Sequence, residues 1–237
     1  MSSSRFSIDA VGYIDGCYPD KFGIPRQPGL VESASARLIL SGEYATADAV
    51  RGLEDFSHLW LTFVFHKSPE RWTPLVRPPR LGGNRKVGVF ASRATHRPNR
   101  LGLSLVELLK VDTHDGISLH IRGHDLMNGT PVVDIKPYLP WAESVPDARG
   151  GFADQAPPNL RVIFSATAKA SLAALKQPGL EQLITDVLAQ DPRPAYHPPS
   201  ERRYGVSLGQ HDIGFHAQED QHGIYLEVSD IAPIPVP

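Results

Sequence analysis

His58-Leu59-Trp60-Leu61-Thr62-Phe63-Val64-Phe65 is apolar at almost every position, so an extended segment built from it needs cover on both faces. Such a run is expected as a central, buried strand. Working outward from it, the chain breaks into further short segments of strand character: FSIDAVGYI (6–14), RLIL (37–40), KVGVFAS (86–92), LSLVELLKV (103–111), ISLHIRG (117–123) and PVVDIKPY (131–138). Several alternate. In residues 117–122, Ile117, Leu119 and Ile121 fall on one face and Ser118, His120 and Arg122 on the other. The 20 glycines and 22 prolines cut the chain too often for long helices. Seven such segments before Trp141 predict a mainly β fold, a closed or nearly closed and mostly antiparallel sheet. One helix is expected near residues 46–53, with Thr46 as its N-cap.

Residues 144–159, SVPDARGGFADQAPPN, change the composition to Pro, Gly, Ala and Asp and read as a linker. Beyond them RVIFSA (161–166) is a strand candidate. SLAALK (171–176) and LEQLITDVLAQ (180–190) have helical spacing, the second with Leu180, Leu183, Ile184, Val187 and Leu188 on one face. YGVSL (204–208), HDIGFHA (211–217) and GIYLEV (223–228) read as closing strands. The division expected is a barrel over residues 1–145 and a smaller α/β domain over 158–237. A hydrophobic content of 41% is enough for a real core. No apolar run approaches the roughly 20 residues of a membrane span, and the N-terminus lacks a signal-peptide pattern. The single cysteine, Cys17, leaves no internal disulfide or Cys-rich zinc site and is expected as a small buried hydrophobe. The expected setting is cytoplasmic, with no membrane and no metal.

Charge is unevenly spread. Residues 71–106 hold eight Lys or Arg and no Asp or Glu, out of 24 basic and 26 acidic in the chain, which leaves 16 basic against 26 acidic elsewhere. That concentration points to a polyanion, most commonly nucleic-acid phosphate. Val87, Val89 and Phe90 inside the run argue for a folded element over a disordered arm. There is no G-x-G-x-x-G, so a Rossmann site has no support. Gly83 and Gly88 have Walker A spacing, but Val89-Phe90 replaces Lys-Ser/Thr. H-E-x-x-H is absent. Four loops combine turn chemistry with polar groups: residues 80–86 (RLGGNRK), 93–100 (RATHRPNR), 22–29 (FGIPRQPG) and 125–131 (DLMNGTP). Asp134, Lys136 and Tyr138 alternate and share a face, either as proton-transfer groups or as an exposed polar edge. His66 closes the central strand, either as a satisfied strand-end histidine or as a ligand contact.

Taken in order, PRQPGL, LEDFSHLWLTFVFH, RPPRLGGN, VGVFASRATHRPNRLGLSLVEL and DLMNGTPVVDIKPYLPWAES resemble the TsaA-like domain of the TrmO family of tRNA methyltransferases, and DPRPAY with YGVSL resembles that family's second domain. The resemblance implies a TsaA-like β-barrel with a smaller C-terminal α/β domain, acting as a homodimer. Its activity would be S-adenosyl-L-methionine-dependent methylation of N6 of threonylcarbamoyladenosine at tRNA position 37. By motif position it implies that Pro25, Arg26, Gln27, His66, Lys67, Arg93, Leu103, Asp125, Leu126, Met127 and Asn128 border the cofactor. Asp134 and Tyr138 are the candidates for proton handling. Arg80, Arg85, Arg97 and Arg100 would hold phosphates of the anticodon loop, with help from the C-terminal domain. Two departures stand out: Arg100 replaces the last proline of the family's Arg-Pro-Asn-Pro, and Asn128 replaces the aspartate of its D-G-T-P turn. The first is expected to loosen its loop, and the second to remove a charge near a cationic cofactor. A non-catalytic RNA-binding module on the same barrel, or an enzyme of this kind acting on another RNA or a small molecule, fits the same residues.

Overall fold

A computed structural model describes residues 6–82, 84–194 and 197–234. Gly83 of the glycine loop and Ala195-Tyr196 of the DPRPAY segment lie outside the described residues. The first unit is a closed barrel. Its strands are β1 (Gly12–Gly16), β2 (Ser35–Leu40), β3 (His58–Val64), β6 (Leu101–Asp112), β7 (Ser118–Arg122) and β8 (Pro131–Pro137), in the order β1-β2-β7-β6-β3-β8. All neighbours are antiparallel. A two-stranded ribbon, β4 (Leu75–Val76) with β5 (Val87–Gly88), sits between β3 and β6 in sequence, and a short helix, α1 (Pro140–Glu143), follows β8. Closure leaves no unpaired barrel edge.

The central segment behaves differently from its composition. Leu59, Leu61 and Phe63 point into the barrel with Ile14, Leu38, Val106, Leu119, Ile121 and Val132. Each fully buried leucine stabilises the fold by about 2 kcal/mol over an exposed one. Trp60, Thr62 and Val64 face outward and are only half-buried. Partial cover comes from the chain after β8: the Trp60 indole donates to the Glu143 carboxylate at 2.9 Å, and the Tyr138 ring meets Trp60 edge-on at 6.2 Å.

Three expectations need correction. KVGVFAS is not a barrel strand. Only Val87 and Gly88 pair; the backbone then turns, and the Val89 carbonyl accepts both the Ser92 amide and the Ser92 hydroxyl instead of a ladder partner. The first strand begins at Gly12 rather than Phe6, because its partner β2 ends at Leu40, opposite Gly12. The helix expected near residues 46–53 is two 3₁₀ turns, Ala47–Val50 and Leu53–Asp55; Thr46 does cap the first, accepting the Ala49 amide.

The second unit is a four-stranded sheet, β10 (Ser200–Leu208), β11 (His211–Asp220), β12 (Gly223–Pro233) and β9 (Arg161–Phe164), in that order. Only β12 and β9 run parallel, and α2 (Ala166–Leu175) and α3 (Leu180–Ala189) lie on the path between them. Ser165 caps α2 by accepting the Ala168 amide at 3.1 Å. The apolar face of α3 packs as its spacing predicts: Leu180, Ile184, Val187 and Leu188 are buried and Leu183 partly so. This second core also takes in Tyr18, Val31 and Ala34 from the connection between β1 and β2.

Candidate active site

A cleft of about 650 Å³ opens where β3 ends and β6 begins. Five stretches meet there: Lys21, Ile24, Pro25, Arg26 and Gln27; the end of β3 through Ser68; Ser92 to Arg97; the start of β6; and Asp125, Leu126 and Met127. Its floor depends on Gly102. A Cβ at that position would lie 2.3–2.8 Å from three ring carbons of Phe63, the cross-strand neighbour, so the end of the phenyl ring fills the space that a side chain would need. Across the top, the Arg93 guanidinium donates to the Gln27 side-chain carbonyl and ties two walls together.

Asp125 is the one carboxylate among the described lining residues. Burial pushes its carboxyl up to about 6, against the opposing pull of the Ser104 hydroxyl, which donates to Oδ1 at 2.5 Å, and of the nearby Arg93 charge. His66 titrates below the usual imidazole range, first because it is partly desolvated and then because Lys67 and Lys21 stand close. Behind the cleft, His124 is fully buried and burial pushes it down to about 4. Its Nδ1 accepts the Leu126 amide at 3.3 Å, which assigns the proton of the neutral ring to Nε2. The ring meets Tyr18 edge-on at 5.1 Å. Cys17 packs against the second core, and burial drives its thiol up to about 12, which leaves it a poor nucleophile.

Of the residues expected at the cofactor, Pro25, Arg26, Gln27, His66, Lys67, Arg93, Leu103, Asp125, Leu126 and Met127 all border this cleft. Asn128 does not. It fixes the turn beside it, accepting the Gly16 amide through Oδ1 at 3.1 Å and donating its own amide to the Tyr18 carbonyl at 2.7 Å. An aspartate could accept that same bond, so the departure at 128 keeps the turn. Asp134 and Tyr138 also lie outside the lining. Asp134 is opposite Thr62 on the outer barrel surface and ion-paired to Lys136, and Tyr138 packs on His58 and Trp60. They sit one strand beyond the cleft wall that Trp60 and Thr62 form.

The four arginines expected on phosphate divide. Arg85 is exposed. Arg80 donates to the Gln155 carbonyl of the linker at 2.6 Å. Arg97 lines the cleft and donates to the carbonyls of Ser92 at 2.8 Å and Val89 at 3.3 Å, so it fastens the loop. Arg100 adopts φ 54°, a conformation closed to proline, and its amide donates to the Arg97 carbonyl at 3.1 Å. The substitution therefore closes a turn at the point where a loosened loop was expected. The sequence reading missed Lys21, Trp60, Thr62, Phe63, Phe65 and Ser104. Phe63 and Phe65 read as core, whereas Lys21, four residues before Pro25, could have been included with that loop.

The lining suits a small zwitterion with an aromatic base. Arg26, Lys67 and Arg93 can receive a carboxylate, Asp125 can receive positive charge or hydroxyls, and Leu101, Leu103, Leu126 and Met127 give apolar walls. S-adenosyl-L-methionine has those parts. Among the described residues no cluster of three or more His, Cys, Asp or Glu could hold a metal ion, and no helix is long and apolar enough to cross a membrane.

Fold and site together define a six-stranded β-barrel protein with a charged small-ligand cleft at its rim, carrying an α/β appendage. Residues 13–144 match the tRNA-methyltransferase O N-terminal domain and residues 157–233 match the TrmO C-terminal domain. The chain belongs to the tRNA-methyltransferase O family. It is 52% identical over 215 residues to the tRNA (adenine(37)-N6)-methyltransferase of Escherichia coli strain K12, covering 89% of this chain and 92% of that protein. A putative S-adenosylmethionine-dependent methyltransferase, RcsF, of Pseudomonas aeruginosa is 48% identical over 216 residues, with the same two coverages. The crystal structure of TrmO from Pseudomonas aeruginosa superposes with a TM-score of 0.79 at 39% identity, covering 97% of this chain and 99% of that one.

Proposed function

We propose that this chain transfers a methyl group from S-adenosyl-L-methionine to N6 of adenine 37 of tRNA, with the threonylcarbamoylated adenine as substrate. The observation that carries the reading is the cleft. Four of the five family-like segments, far apart in sequence, supply its walls, and one wall is the acid-free basic stretch. Similarity over 89% of the chain to a protein named tRNA (adenine(37)-N6)-methyltransferase supports the position and the atom.

When bound, the cofactor supplies a methyl group already activated as a sulfonium. The chain's own task is then placement. Arg26, Lys67 and Arg93 would hold a carboxylate, Asp125 would offset positive charge, and the Phe63 ring beside Gly102 limits the depth of the cleft. His66, neutral at physiological pH, can accept or donate one hydrogen bond at the rim. The attacking nitrogen belongs to a urea-like group, so its proton leaves more easily than that of a plain aryl amine and a weak base suffices. Asp134 and Tyr138, one strand away, serve that role only if the substrate reaches across Thr62. Single turnover of Asp134→Asn and Tyr138→Phe at saturating cofactor decides this; wild-type rates in both exclude them. Arg85, which is exposed, with Arg80 and Arg100, would meet the anticodon-loop phosphates without reading bases. A tRNA substrate sets the work in the cytoplasm, and a homodimer is tested by sedimentation velocity.

The deciding experiment is nucleoside mass spectrometry of threonylcarbamoylated tRNA incubated with protein and cofactor. A mass gain of one methyl on that nucleoside supports the reading. Cofactor binding without methylation moves the activity to another substrate, and no cofactor binding leaves an RNA-binding module.

A further inference from the structure

We infer that the C-terminal domain positions the cofactor loop: its core takes in Tyr18, Val31 and Ala34 from the β1–β2 connection, and so fixes the wall that carries Pro25, Arg26 and Gln27. The cofactor's identity rests on the function proposed above; the mechanical statement does not.

Residues 17–34 belong to the barrel by sequence and to the other domain by packing. Tyr18, Val31 and Ala34 are buried in one cluster with Ile184, Val187, Val206 and Phe215, separate from the barrel's own cluster, and Phe22 and Ile24 pack against it. Polar ties lie at both ends: the Gly209 amide donates to the Cys17 carbonyl at 2.8 Å, and the Ser33 hydroxyl donates to the Asp186 carboxylate at 2.5 Å. Between them Gly23 holds φ 94°. A Cβ there would lie 2.2 Å from Cγ2 of Val206 and 3.7 Å from Cγ1 of Val187, so the chain presses on β10 and α3 without room for a side chain. Two residues later Pro25 enters the cleft. The same connection reaches the opposite wall, since the Tyr18 carbonyl accepts the Asn128 amide at 2.7 Å and the Gly123 carbonyl accepts the Gly29 amide at 2.8 Å.

The domain's charge argues for this role over gripping RNA. Residues 158–237 contain nine Asp or Glu and six Lys or Arg. Three of the four arginines are ion-paired within the domain: Arg161 to Asp220, Arg193 to Asp191, and Arg203 to both Asp212 and Asp230. A surface built to collect phosphates keeps its cations free.

The test uses two variants of the full chain: Gly23→Ala forces a methyl into the packed contact and strains the left-handed backbone, and Val206→Ala removes the atom the connection rests on from the domain's side. Without any ligand, hydrogen-exchange protection of the Gly29 and Asn128 amides should fall about tenfold in Gly23→Ala and about threefold in Val206→Ala. Calorimetry with S-adenosyl-L-methionine should show Kd weakened by about the same two factors, while tRNA affinity stays within about twofold of wild type in both. Unchanged protection and Kd in folded Gly23→Ala, or in folded Val206→Ala, overturns the inference. So does lost tRNA affinity with cofactor affinity intact, which returns the domain to RNA binding. If Gly23→Ala does not fold, Ser33→Ala decides by the same readouts, with about a threefold weaker Kd expected and no change refuting. Wild-type protein that fails to bind the cofactor counts against the proposed function, and the exchange measurement still decides the positioning role.

Discussion

Asp125→Asn tests the electrostatics of the cleft while keeping its shape. Holding the ionised carboxylate where its pKa is about 6 instead of 3.8 costs about 3 kcal/mol, at about 1.4 kcal/mol per pH unit. Because the folded value is the higher, that stability is fully present below pH 3.8 and is lost as pH rises through 6. Its neighbour works in the opposite direction. His124 titrates near 4 when folded and 6.5 when unfolded, so its buried neutral ring contributes about 3 kcal/mol that is present above pH 6.5 and lost as pH falls through 4. In the wild type the two contributions nearly cancel between pH 4 and 6.5. In Asp125→Asn only the histidine remains. The stability of the variant minus that of wild type should therefore climb from near zero at pH 4 to about 3 kcal/mol at pH 7. Urea unfolding of the ligand-free protein at half-unit steps reads it directly. Parallel curves for the two proteins would refute the burial argument. Cofactor binding gives a second reading: a cation above Asp125 requires its ionised form, so the wild-type Kd should tighten by about tenfold from pH 5 to 7. Asp125→Asn should bind more weakly and keep only the smaller slope that His66 supplies at the acid end.

Gly102→Ala should lose about 1–3 kcal/mol of stability and weaken cofactor binding, since the Phe63 ring must leave the floor; an unchanged midpoint in thermal unfolding would show that the ring moves freely. Arg100→Gly should gain about 0.5–1 kcal/mol by relieving the left-handed conformation, whereas Arg100→Pro should destabilise, as read from the denaturation midpoints of both. Arg85→Ala should lower the salt slope of tRNA binding by about one with cofactor affinity intact, while Arg97→Ala should weaken cofactor binding through its released loop. Equal effects of the two arginines on both measurements would contradict that division.

Much of the fold was legible because period-two patterning and turn residues are local. All six barrel strands overlap segments that the sequence marks, with β3, β7 and β8 wholly inside them and β1, β2 and β6 running one or two residues past an end, and the α3 face follows from its spacing. KVGVFAS fails because strand propensity cannot see that the Val89 carbonyl has three nearer donors, the Ser92 amide, the Ser92 hydroxyl and Arg97. The ten residues expected at the cofactor that line the cleft came from motif order, and motif order also carried in Asn128, whose side chain turns toward Gly16 instead. Asp134 and Tyr138 were chosen for chemistry and alternation. Which side of β3 a neighbouring strand occupies is a property of barrel closure, and no pattern within β8 encodes it.

The acid-free stretch shows where sequence alone stops separating roles. Arg80, Arg85, Arg93, Arg97 and Arg100 are equivalent as charges, and a polyanion is the natural inference from their density. The fold assigns them by the carbonyls within reach: Gln155 holds Arg80, Gln27 holds Arg93, Ser92 and Val89 hold Arg97, and Arg85 stays in solvent. A guanidinium bound to backbone carbonyls keeps its charge but has fewer donors to offer a phosphate. The stretch therefore contributes a positive field along one wall of the cleft more than a row of phosphate clamps. On that account the affinity for tRNA should depend on the summed charge of the wall, and the cofactor affinity on which guanidinium is removed.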